Sequence, residues 1–226
     1  MPGPTLFRMK GSCSMVPHML LRELKIPFND MPMQADKNNA YSPIDTSISR
    51  ADFLRYNPSG FVPTLVLEDG TSITEMPAVL TYISSLVPDR HMMGHAGLEA
   101  AKVYEWIAFV QGALLEYGFA AVFRPERALP PDATKEMRDV VTGKGHKKIL
   151  SCFELIEGRL DGSGYAVGGR LTAVDMLVLP SWQWATMMEL DLTKYPKLRG
   201  VVAKALELDS VQTVLKIEGI ERHFQL

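Results

Sequence analysis

Cys13 stands between two hydroxyl residues in Gly11-Ser12-Cys13-Ser14, directly ahead of Met15–Lys25, whose apolar spacing predicts a helix. A helix N-terminus carries unpaired N–H groups and the positive end of the dipole, so it favours an anion, and beside a thiol a thiolate. Two chemistries fit such a corner. Cys13 could itself act as a nucleophile or form a mixed disulfide. Alternatively, the corner could stabilise the thiolate of a bound thiol, with Ser12 and Ser14 as hydroxyl donors. A third reading is structural, a small cysteine packed where a loop meets a helix.

A second stretch, Tyr56–Ile83, carries the other distinctive residues. Asn57-Pro58-Ser59-Gly60 is a dense turn cluster, and Val62-Pro63 opens the short strand-type run Thr64–Leu67. Proline cannot donate to a ladder, so it is tolerated only at a strand's first position, an edge or a bulge. By itself the dipeptide reads as a trans proline opening an edge strand, since cis X-Pro is a minority state. Asp69-Gly70 signals a hairpin, Thr71–Thr74 returns, and from Glu75 the spacing becomes helical, with Val79, Leu80 and Ile83 on one side.

The elements that position these residues begin with Thr5–Met9 as a strand. The helix Met15–Lys25 has Pro17 in its first turn, where a missing N–H costs little, and Pro27 closes it. Phe28–Met33 reads as a second strand. Strand–helix–strand followed by the hairpin and helix is the order of a thioredoxin-like domain. Gln34–Arg50 is polar and reads as a long loop, and Ala51–Arg55 as a short helix. His18 reads as a helix-packing residue.

Pro88 ends this first half, residues 1–87, and residues 88–97 read as a linker to a helical domain over 98–226. Glu99–Phe123 is apolar on nearly all faces and is expected to be buried against another helix and a second subunit. Arg124-Pro125 and Pro130-Pro131 close it, and Asp132 is expected to cap a helix running to about Leu160, with Cys152 in its core. Thr172 and Asp175 form a capping box, with Leu171 and Met176 at the positions of a hydrophobic staple. Asp175 is therefore a structural carboxylate.

Composition bounds the function classes. The chain has 226 residues, 46% hydrophobic and 22% charged, with net charge −2 and no long basic run. That is an ordinary globular composition with no case for nucleic acid as main partner. Two cysteines, Cys13 and Cys152, argue against a disulfide framework. The first residues lack the apolar core of a signal peptide, and Trp106–Leu115 is too short and too quickly charged to span a bilayer. The expectation is a cytoplasmic protein with no membrane partner.

The string N-P-S-G-F-V-P-T-L, then D-G, then T-E and an apolar helix, resembles the glutathione-binding half of the glutathione transferase family. G-S-C-S-M-V-P-H-M-L-L-R-E resembles the first-helix motif of the beta-class, cysteine-type members, and G-Y-A-V-G-G-R-L-T-A-V-D and K-Y-P-K-L match the C-terminal half. The resemblance runs from about Gly11 to Ile220. It implies an α/β thioredoxin-like N-terminal domain plus an all-α C-terminal domain, a homodimer, and glutathione as cosubstrate without a metal.

The resemblance also implies roles. Val62-Pro63 would be cis, with the Val62 backbone pairing with glutathione. Glu75 and Met76, at the helix start, would hold the γ-glutamyl end, and Lys37 would reach the glycyl carboxylate. Cys13 would face the sulfur, where Phe7 excludes a tyrosine-type hydroxyl. Tyr117 and Trp184 would wall the cleft for a small-molecule electrophile. Departures from the family pattern are Met76 where a serine is common, and Ala108 and Leu114 at polar positions of the long helix. They favour a rival reading, a glutathione-independent isomerase or cyclase. A non-catalytic interaction module is a further rival.

Overall fold

The computed structural model describes residues 3–36, 39–224 and 226. Strand β1 (Thr5–Met9), helix α1 (Met15–Glu23) and strand β2 (Asn29–Ala35) form a βαβ unit, with β1 and β2 parallel. β3 (Tyr41–Pro43) follows, then α2 (Arg50–Tyr56), β4 (Thr64–Val66), β5 (Ser72–Thr74) and α3 (Met76–Ser85). The sheet order is β3-β2-β1-β4-β5, and every pair except β1–β2 is antiparallel. This is the thioredoxin-like mixed sheet that the motif order implies.

One strand is new. Gln34–Arg50 is not all loop, because Tyr41–Pro43 pairs with β2, Ala35 opposite Tyr41. Its anchor is Tyr41, 8% exposed in a cluster with Phe7, Met33, Phe53 and Val62 on one face of the sheet. Alternation does the sorting along β1: Phe7 turns to that cluster while Leu6 enters the main core with α1 and α3. α2 starts one residue earlier than its apolar pattern suggests, because Ser49 and Asp52 form a capping box.

The second half is helical. α4 (Leu98–Ala108), a π-helical stretch (Phe109–Phe119) and α5 (Ala120–Phe123) make one continuous rod. By length and composition this rod, Leu98–Phe123, could cross a membrane, which the shorter apolar run did not suggest. Val103, Ile107, Val110, Leu114 and Phe119 are nonetheless in the protein core. It is not apolar-and-buried all round, since Leu98, Tyr104 and Tyr117 are exposed. α6 (Lys135–Arg159), α7 (Ala173–Met187), α8 (Pro196–Leu206) and α9 (Asp209–Glu218) complete the fold. Thr134, not Asp132, caps α6: its hydroxyl accepts the Met137 N–H. Cys152 is core.

The capping box at α7 forms as its spacing predicts. The Asp175 carboxylate accepts the Thr172 N–H at 2.7 Å, the Thr172 hydroxyl at 3.0 Å and the Ala166 N–H at 2.7 Å. Burial pushes its carboxyl up to about 6, against the pull of those hydrogen bonds. A carboxyl whose folded pKa is raised holds its proton more tightly when folded. Its contribution is therefore full below the unfolded value and fades as pH rises through the folded one. We expect wild-type stability to fall by on the order of 2 kcal/mol between about pH 4 and pH 6 relative to Asp175→Asn. Urea melts of both proteins across that range check it, and parallel profiles would sink the assignment.

Candidate functional site

A cavity of about 730 Å³ opens between the loop after β1, the turn before β4, the start of α3 and the helical half. That volume suits a peptide plus a small organic molecule. The loop after β1 is built around Gly11, whose φ of +64° lies in the left-handed region. A side chain there would meet the Gln183 amide at 2.8 Å. Both backbone groups of Gly11 are held from the helical half. Its N–H donates to the Glu218 carboxylate at 2.7 Å, and its carbonyl accepts the Trp184 indole N–H at 2.9 Å.

Ser12 and Cys13 line the cavity and Ser14 does not. Ser14 is fully buried, and its hydroxyl accepts the Met9 N–H at 2.9 Å and lies 2.7 Å from the Ser12 hydroxyl. Ser14, expected as a second hydroxyl donor to sulfur, instead ties the loop to the end of β1. When it donates to Ser12, the Ser12 proton is free for the cavity.

Cys13 stands before the N-cap of α1 with partial solvent access. The expected thiolate is corrected. Removal from water pushes its thiol up to about 11, outweighing the pull of its own backbone N–H, and the Glu75 and Glu116 carboxylates add smaller upward pushes. Its S–H points at the Val62 carbonyl, 3.9 Å from the sulfur.

The Val62–Pro63 peptide is cis, and Val62 lines the cavity just ahead of β4. Asn57 braces this turn, donating to the Phe61 carbonyl at 2.9 Å and the Thr64 hydroxyl at 2.8 Å. Glu75 is the N-cap of α3 with φ of +66°, a conformation costly for a residue with a side chain. Such strain accompanies sites where a backbone must be presented to a ligand. The first helical N–H groups, Met76 and Ala78, flank Pro77, which lacks one. Met76 itself is buried in the cavity wall.

The apolar wall is Phe119, Phe123 and Trp184, packed edge-to-face with ring centres 5.2 and 5.8 Å from the indole. Trp184 lines the cavity. Tyr117 does not: it is 73% exposed and turned to solvent. Ala108 and Leu114 also stand outside the lining, Leu114 in the core. The polar groups this rod presents to the cavity are Gln111 and Glu116. The π-helical stretch accounts for the difference, because i→i+5 turns shift every later residue around the rod relative to an ordinary helix. Lys37 lies outside the described residues.

His18, read as a lone packing histidine, belongs to a buried network that no local pattern could reveal. Its Nδ1–H donates to Glu218 at 3.1 Å, while its Nε2 accepts from Arg22, a side chain that can only donate. Burial lowers its pKa and keeps it neutral. Arg8 reaches Glu218 at 3.6 Å and Asp30 at 2.6 Å. Among the described residues, no group of three or more His, Cys, Asp or Glu is arranged to hold a metal.

The glutathione S-transferase N-terminal domain matches residues 11–86 and the C-terminal domain residues 112–209. The chain is similar to glutathione S-transferase GstA of Escherichia coli O157:H7, 27% identical over 96% of this chain and 99% of the relative. It is 30% identical to glutathione S-transferase stcT of Emericella nidulans over 73% of this chain and 76% of the relative. A sphingomonad glutathione S-transferase solved in complex with glutathione superposes with a TM-score of 0.77 at 25% identity, covering 95% of this chain and 98% of that one.

Proposed function

The chain belongs to the glutathione S-transferase family, and on that premise we propose that its cavity binds glutathione and directs the glutathione sulfur at an electrophile. One observation carries the reading. Ser12, Val62 just after the turn, and the α3 start with Glu75 line one cavity, beside an aromatic wall. An extended peptide can add to the Val62 edge as a short strand. The γ-glutamyl ammonium meets the Glu75 carboxylate, and its carboxylate meets the N–H groups that begin α3.

In the proposed reaction the bound thiol loses its proton to solvent. The Ser12 hydroxyl, polarised by Ser14 behind it, and the Cys13 N–H donate to the resulting thiolate. The sulfur then attacks the electrophilic carbon, a C–S bond forms, and the leaving group departs with its bonding pair. Cys13 remains a neutral thiol throughout, so it adds no repelling charge beside the sulfur. A high thiol pKa makes Cys13 a poor nucleophile at neutral pH, so thiol exchange through a Cys13 mixed disulfide is the minor route. Of the three departures that favoured a glutathione-independent isomerase or cyclase, Ala108 and Leu114 stand outside the cavity lining and only Met76 borders it, where its backbone N–H can still serve an anion.

The same proposal includes a small-molecule electrophile of apolar or aromatic character as second substrate, a detoxification chemistry. It also includes a division at 1–87, 88–97 and 98–226, and a cytoplasmic homodimer. The exposed Leu98, Tyr104 and Tyr117 along the long rod support the pairing; light scattering of the purified protein reports it.

Titration calorimetry with glutathione tests the central claim. Wild type is expected to bind, and Glu75→Gln, which keeps the size and removes the charge, to bind about 10- to 100-fold more weakly. Unaltered affinity in Glu75→Gln would put the ligand elsewhere.

A further inference from the structure

Among the described residues, two arginines at the cavity rim have no acidic partner. Arg8, Arg55, Arg90 and Arg170 each pair with a carboxylate at 2.6 to 3.2 Å. Arg124 and Arg127 line the cavity, and among the described residues neither has a carboxylate within salt-bridge distance. The neighbouring Glu126 instead accepts a hydrogen bond from Asn39 at 3.4 Å.

Their placement follows from the backbone. Arg124 precedes a 3-10 turn, Pro125–Ala128, closed by the Arg127 N–H on the Arg124 carbonyl at 3.1 Å. In that geometry side chains three apart eclipse, so both guanidiniums leave the same side. Each is then seated on a ring. Arg124 lies over Tyr41 at 5.8 Å and donates to its hydroxyl at 3.1 Å, and Arg127 lies over Phe61 at 4.7 Å. The two rings pack edge-to-face at 6.1 Å, and Tyr41 is buried. Two exposed arginines on an ordinary surface would be mobile. These are held as a pair over two edge-to-face rings against a cavity, and like charges so held are unfavourable until an anion lies between them.

We propose that Arg124 and Arg127 form a carboxylate clamp at this rim of the cavity. A planar carboxylate satisfies two guanidinium forks at once, which an ammonium pair would not do as well. The inference rests on the glutathione reading for one of two sources of the carboxylate. It is either the glycyl end of the bound peptide or an acid group on the second substrate, and both arrive through the same cavity.

The experiment separates the sources and also separates failure of the clamp from failure of the glutathione reading. The probes are glutathione, its glycyl monoethyl ester, 4-chloro-3,5-dinitrobenzoate and the methyl ester of that benzoate. Glutathione and its ester are followed by calorimetry, and the two aromatics by quenching of tryptophan fluorescence without any thiol. The proteins are wild type, the double variant Arg124→Gln/Arg127→Gln, and Arg124→Lys/Arg127→Lys, with matched melting temperatures as the control for folding.

If the clamp takes the glycyl carboxylate, the Gln pair binds glutathione about 10- to 100-fold more weakly, and the ester binds all proteins alike. If it takes an acidic second substrate, glutathione affinity stays within twofold. The benzoate then weakens about tenfold or more in the Gln pair while its methyl ester does not. In either case the Lys pair recovers part of the loss. Acid and ester forms that bind wild type and the Gln pair equally, in both probe sets, overturn the clamp. Absence of glutathione binding in the wild type would sink the proposed function, and the benzoate pair would still decide the clamp.

Discussion

Replacing Glu218 with alanine is expected to lower stability by about 3 to 5 kcal/mol, the cost of breaking a buried charge pair. For a chain of this size that is a fall of roughly 10 °C in melting temperature. The Glu218 side chain has no solvent exposure; it accepts from the Gly11 N–H and His18 Nδ1–H and forms an ion pair with Arg8 at 3.6 Å. Alanine leaves the first two donors buried without an acceptor, and Arg8 keeps only Asp30. Glu218→Gln keeps an acceptor for Gly11 but loses the charge and turns an amide N–H2 toward His18 and Arg8, so it should fall between wild type and alanine. Because Gly11 also accepts the Trp184 indole N–H, the alanine variant should alter the folded-state fluorescence spectrum as well. A melting temperature within about 2 °C of wild type would show that the network contributes little.

Glu218 also shows where sequence reading stops. The α7 capping box was legible because Thr172 and Asp175 are three residues apart, within one turn whose geometry is fixed. The motif around Val62-Pro63 was legible because turn, strand, hairpin and helix signals follow one another without a gap. His18 and Glu218 are 200 residues apart, and nothing local in either segment marks the pairing. The loop carrying Cys13 is thus held by a carboxylate that only the packing of α1 against α9 brings near. β3 was missed for a related reason: a three-residue strand in a polar stretch has too few positions to show alternation, and Tyr41 alone carries its burial.

The long rod misled in another way. The family resemblance put Tyr117 on the cavity wall. The π-helical stretch turns Tyr117 to solvent and brings Glu116 in its stead. Glu116 is one of two carboxylates that add, in small measure, to the desolvation raising the Cys13 pKa, so the register shift touches the chemistry. Ser14 shows the same limit at short range. Three consecutive polar residues look alike in sequence, and only the turn after β1 sends Ser12 and Cys13 to the cavity and Ser14 to the core.

Cys13 is expected to ionise with an apparent pKa about two units above an ordinary thiol, near 11 against 9.0. At pH 8 its thiolate population should therefore be about 100-fold below that of a free cysteine. Each thiolate of higher basicity is about tenfold more nucleophilic, so the observed alkylation rate should be depressed only about tenfold. The inflection of the rate with pH is the cleaner readout: iodoacetamide modification should still be rising at pH 10. Glu116→Gln removes one carboxylate that raises the pKa, so its inflection should move to lower pH while burial keeps it above 9. Cys152 is buried and slower to react, and Cys13→Ala supplies the background. The same Cys13→Ala protein should conjugate glutathione to 1-chloro-2,4-dinitrobenzene within about threefold of wild type, because a neutral thiol gives the attacking sulfur little. An inflection near or below 8 would mean that the helix end wins over desolvation. Complete loss of conjugation in Cys13→Ala, with Ser12→Ala unaffected, would transfer the sulfur-activating role from the Ser12 hydroxyl to Cys13.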